Sequence, residues 1–123
     1  MYPVLAICTG ASLGALLRWQ LGLWLNASGH LPWGTLLANA AGGYGIGLAV
    51  AWLQALPELD PAWRLFLITG FLGALTTFSS FSAEVVTLLQ SQRWGIALGW
   101  TLAHVLISLA LTMAGLYTVH ALR

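Results

Sequence analysis

The chain has 123 residues, 59% hydrophobic and only 6% charged, with a mean hydropathy of +0.87. A soluble domain carries about 25% charged residues, so this composition cannot cover a water-facing surface and reads as one integral membrane domain. Four Arg, no Lys and three acids leave a net charge of +1, which excludes a nucleic-acid surface and a polybasic lipid-binding stretch.

The first apolar segment runs from about residue 3 to 25 and closes at Asn26-Ala27-Ser28-Gly29-His30. It is too long for the apolar core of a leader and no basic stretch precedes it, so no cleaved leader is expected. Cys8, the single cysteine, lies in this apolar run and reads as a small packing residue. Arg18 lies about two turns before the segment's end. Either it snorkels to the headgroups, or it is a buried positive field that draws anions to a pore mouth.

The second segment runs from about 33 to 55 and holds Asn39 among Gly42, Gly43, Gly45 and Gly47. An amide at that depth needs partners, as interhelical glue or as a pore-lining donor of two hydrogens. The glycine run is no phosphate loop, because no Lys follows and no strand precedes it. Leu56-Pro57-Glu58-Leu59-Asp60-Pro61 ends the segment, with Asp60 as helix cap and Pro61 opening the next helix.

The third segment, about 62 to 89, contains Leu75-Thr76-Thr77-Phe78-Ser79-Ser80-Phe81. Four hydroxyls would serve nothing against lipid, so a helix broken in mid-membrane and facing a polar path is predicted here. Phe78 and Phe81 share a helical face that Glu84 extends, and Glu84 is the one acid inside a span. After Gln90-Ser91-Gln92-Arg93 the fourth segment runs from about 94 to 120, with His104, Ser108 and Thr112 in an i, i+4, i+8 stripe flanked by Thr101. His104 and Glu84 without a third ligand do not make a metal site. No nucleophile–base set occurs, so an enzyme is not expected.

Each segment has the ~20 residues needed to cross the hydrocarbon core. Trp24, Trp33, Trp52, Trp63 and Trp94 bracket the loops at headgroup depth. Gly10 and Gly14, Gly43 and Gly47, and Gly95 and Gly99 are spaced for close helix contact. Arg64 and Arg123 fall on one side of a four-span topology and Arg18 and Arg93 on the other, so the positive-inside rule selects no orientation. Insertion in both orientations would allow an antiparallel homodimer with its two-fold axis in the membrane plane.

Three stretches, Gly10-Ala11-Ser12-Leu13-Gly14-Ala15-Leu16-Leu17-Arg18-Trp19, Gly34-Thr35-Leu36-Leu37-Ala38-Asn39-Ala40-Ala41-Gly42 and Gly70-Phe71-Leu72-Gly73-Ala74-Leu75-Thr76-Thr77-Phe78-Ser79-Ser80-Phe81, resemble the signature blocks of the Fluc (CrcB-type) fluoride channels. The likeness covers essentially the whole chain. It implies an all-α dual-topology antiparallel homodimer in the bacterial inner membrane, with two pores that export fluoride passively. Under that resemblance Phe78 and Phe81 line each pore and Asn39 is the pore amide. Ser79, Ser80, Thr112 and Glu84 form a polar track, with Ser108 adjacent. Gly73 and Thr76 offer backbone carbonyls to a structural Na+ at the dimer centre, and Arg18 sits toward the vestibule. Ala74, Ser80 and Trp19 stand where the family pattern has Gly, Thr and Tyr.

Physical reasoning on the same residues agrees. Fluoride is small and strongly hydrated, so hydroxyls, an amide and the positive edges of phenyl rings are suitable replacements for its water. A proton-coupled exporter of the small multidrug resistance type is the alternative. It needs a carboxylate in its first span, where this chain has Arg18.

Overall fold

The structure, a computed structural model, describes residues 2–27, 29 and 31–123, so Ser28 and His30 of the first loop lie outside the described residues. Four helical segments are long and apolar enough to cross a membrane: Tyr2–Leu25, Trp33–Gln54, Ala62–Gln90 and Trp94–Ala121. No strand occurs among the described residues. The second span is the central one, with 44% of its most apolar stretch buried inside the protein against 11% for the first and 17% for the fourth. Most of the remaining apolar surface is therefore available to lipid or to another chain.

Glycine decides which helices pair. A side chain at Gly10 or Gly14 would overlap the backbone of Phe66 or Phe71, which seats the first span on the start of the third. Side chains at Gly47 and Gly115 would collide with Thr112 and Tyr44 backbone, which draws the second and fourth spans together. The third glycine pair does not behave this way. Gly95 and Gly99 have no neighbouring atom within 4 Å, so within one chain they pack nothing.

The third span is not one helix. It begins at Asp60, whose Oδ1 accepts the Ala62 N–H at 2.9 Å. After Ala62–Arg64 it widens into a π-helix over Leu65–Leu72, and Gly73–Leu75 completes the first half. Thr76 and Thr77 then turn extended, at φ −85°, ψ 154° and φ −152°, ψ 118°. The second half is Phe78–Gln90. Thr77 restarts the helix because its Oγ1 accepts the Ser80 N–H at 3.0 Å, the usual N-cap bond. At the far end, the Arg93 N–H reaches Leu88 O and the Gln92 N–H reaches Leu89 O, with Gln92 left-handed at φ 59°. That is a Schellman stop with glutamine where glycine is favoured.

Two apolar clusters flank the break. Leu72 and Leu75 pack with Ala38 and Ala49 on one side of it, and Phe81, Leu88, Ala97 and Trp100 pack together on the other. Trp24, Trp33, Trp52, Trp63 and Trp94 are all exposed near helix ends. Trp100 differs from them and lies buried.

Candidate functional site

The break brings two helix ends of opposite sign close together. The first half of the third span ends in carbonyls and the second half begins in N–H groups, so a partial negative and a partial positive charge meet within two residues. Asn39 of the second span holds this junction open. Its Oδ1 accepts the Thr77 N–H at 2.7 Å and its Nδ2 donates to Thr77 O at 3.0 Å. Thr77 N can only donate, which orients the amide. The other Nδ2 hydrogen points to His104 Nδ1 at 3.1 Å, so that nitrogen is the acceptor and the imidazole proton sits on Nε2.

His104 is the buried centre of the site, 3% exposed. Phe81 stacks on its ring with centroids 4.4 Å apart, and Phe78 meets Phe81 edge-on at 5.5 Å. His104 Nε2 has no hydrogen-bond partner and faces Glu84 Oε1 at 4.0 Å. Glu84 is otherwise well held: Thr35 Oγ1 donates to Oε2, and Trp100 Nε1 donates to Oε1 at 3.1 Å. A network of polar groups thus links the break to the only carboxylate in a span through all three of the second, third and fourth spans.

A cleft of about 540 Å³ opens beside this network. Asn39, Gly73, Thr76, Phe78, Phe81 and Ser108 line it, together with Thr77 and His104. Phe81 is buried in its wall, whereas Phe78 is 78% exposed at its mouth. The remaining sequence candidates lie outside this lining. Ser79 is exposed, with its hydroxyl 3.3 Å from Thr77 Oγ1, and Ser80 contributes its N–H to the cap. Thr112 donates its hydroxyl proton to Ser108 O at 2.8 Å. In that rotamer it has no proton left for an anion. Glu84 stands behind His104 and does not reach the cleft surface.

Arg18 is not part of the cleft wall. Its Nε donates to Ala74 O at 3.0 Å, at the carbonyl end of the first half of the third span. Among the described residues, Gly73 O and Thr76 O accept no backbone N–H: the Thr77 N–H that would reach Gly73 O is taken by Asn39, and the Ser80 N–H that would reach Thr76 O is taken by Thr77 Oγ1.

Thr35 and Trp100 are the members of the site that residue types alone did not single out, whereas His104 stood out in the polar stripe of the fourth span. The spacing of the two carried a signal. Thr35 and Asn39 are four apart on one helix, as are Trp100 and His104 on another, and four-residue spacing places each pair on one face. No group of three His, Cys, Asp or Glu able to hold a metal occurs among the described residues.

The family described as "CrcB-like protein, Camphor Resistance (CrcB)" matches residues 5–116. A protein of Variovorax paradoxus (strain S110) named fluoride-specific ion channel FluC is 61% identical over 122 residues, 99% of this chain and 98% of its own length. Its namesake from Albidiferax ferrireducens (strain ATCC BAA-621 / DSM 15236 / T118) is 64% identical over 118 residues, covering 96% and 91%. A third, from Paracidovorax citrulli (strain AAC00-1), is 58% identical over 113 residues, covering 92% and 90%.

Proposed function

The chain belongs to the CrcB-like family, and from that premise we propose how it carries fluoride. It is a fluoride-specific ion channel of a bacterial membrane, a multi-pass protein and not an enzyme. The observation that carries the reading is the cleft at the broken third span, where a helix N-terminus, two phenyl rings and the Ser108 hydroxyl converge. An anion is favoured at the N-terminal end of a helix, and phenyl edges and hydroxyls complete a compact donor set.

In this reading Phe78 and Phe81 face the ion with their ring edges. Ser108 supplies a hydroxyl in the cleft and Ser79 an exposed one beside it, whereas Thr112 keeps its proton on Ser108 O and Glu84 orders the network from behind His104. Asn39 stands at the pore wall. Passive export through such a path lowers cytoplasmic fluoride. Single chains assemble as an antiparallel homodimer with two pores, a reading supported by the balanced Arg count, the exposed Phe78 and the unpacked Gly95 and Gly99. A structural Na+ fits the Gly73 and Thr76 carbonyls, which have no N–H donor among the described residues and stand at the negative end of a half-helix. There it would neutralise the helix end. The small multidrug resistance-type exporter is not favoured, since the first span has no carboxylate.

Purified protein reconstituted in liposomes loaded with fluoride decides the matter. An ion-selective electrode should record rapid fluoride efflux, with chloride efflux far slower. No fluoride release, or chloride release of equal size, contradicts the reading.

A further inference from the structure

An arginine in an apolar span needs a counter-charge, and Arg18 has no carboxylate partner among the described residues. Its one polar contact is the Ala74 carbonyl, 3.0 Å from Nε. That carbonyl lies in the last turn of the first half of the third span, where intrahelical donors have run out. A guanidinium there supplies both a missing donor and a positive charge against the negative helix end.

The backbone around it is arranged for this contact. Gly14, one turn earlier on the first span, lies so close to Phe71 O and Leu75 N that any side chain would collide. The first span is therefore clamped against the half-helix just where Arg18 reaches across. We propose that Arg18 is a positioning residue: its Nε–H holds the Ala74 carbonyl and thereby fixes the end of the half-helix from which Thr76 and Thr77 depart. It acts on the ion path through the backbone of the break, and not as a charge that attracts anions from water.

Two properties of side-chain geometry make this testable. The Nε2 of glutamine is bonded to Cδ, as Nε of arginine is, so Arg18→Gln keeps an N–H donor at the same position without the charge. Arg18→Lys keeps the charge but moves the donor one atom further out, and Arg18→Met keeps length and apolar bulk with neither.

All three variants and the parent are purified as monodisperse protein and compared in the same liposomes at low and high ionic strength. Thermal unfolding is followed separately. The expected order is Arg18→Gln within a few-fold of the parent and Arg18→Met about tenfold slower, the factor for losing one buried charge-assisted bond. The ionic-strength dependence of flux should be unchanged across the set. Arg18→Met should also unfold at lower temperature than Arg18→Gln.

Arg18→Lys at parental flux with Arg18→Gln as slow as Arg18→Met overturns the proposal in favour of an attracting charge. Equal flux for Gln and Met, whether high or low, overturns it as well. The flux comparison rests on the fluoride reading and the unfolding comparison does not. A parent that passes no fluoride would therefore refute the channel assignment while the Gln-over-Met order in unfolding still judges the Arg18 contact.

Discussion

Asn39 commits both hydrogens and its carbonyl oxygen to the protein, two bonds to the Thr77 peptide and one to His104. An amide so used is first a clamp, whatever it also presents to an ion. Asn39→Ala would leave a peptide N–H and C=O without partners in a low-dielectric setting, a cost of about 2–3 kcal/mol. The variant should unfold at lower denaturant or temperature and lose flux together. A stable variant with normal flux would show that Thr77 holds its extended conformation unaided. The position of Asn39 among glycines was enough to mark it in the sequence as a buried amide needing partners. Which partners could not be read, because Thr77 is 38 residues away and His104 65. Glu84 was legible for the same reason of depth, whereas nothing local marked Trp100, whose indole N–H donates to that carboxylate from 16 residues away.

Among the elements, the third span shows most clearly what local sequence can and cannot say. Its break was readable from the Thr-Thr and Ser-Ser pairs, since those side chains compete for backbone partners and favour caps over helix interiors. The π-helical stretch Leu65–Leu72 was not, because its composition is ordinary for a membrane helix. It becomes visible only against the first span, where Gly10 meets the backbone of Phe66 and Phe71, five residues apart. The stop at Gln92 supplies a test of the local physics. A left-handed residue with a Cβ carries about 1 kcal/mol of strain, so Gln92→Gly should stabilise the protein by roughly that amount. A higher thermal midpoint checks it, and a lower one would mean that the glutamine side chain makes a compensating contact.

At the scale of the whole molecule, four spans of this size bury little of themselves, and the cleft at the break stays open on one side. The four-span architecture followed from hydropathy and tryptophan placement alone. In the proposed antiparallel pair, a second copy would close the cleft and pack against the open faces at Gly95 and Gly99. If two copies insert in opposite orientations, Ser91→Cys in a Cys8→Ser background should react with a membrane-impermeant maleimide from both faces of the membrane to similar extents. Labelling from one face alone would rule out the antiparallel pair.

The central claim is that fluoride passes the phenyl rings at the broken span. Phe81 is the ring to change, because it is buried in the cleft wall and stacked on His104. Fluoride efflux from liposomes holding equal amounts of folded parent or Phe81→Ile protein is the direct measurement. Replacing the ring removes its positive edge but keeps apolar bulk, so the variant should lose at least about tenfold in flux, which corresponds to ~1.4 kcal/mol in the barrier. Efflux equal to that of the parent would assign Phe81 to packing and move the ion path elsewhere.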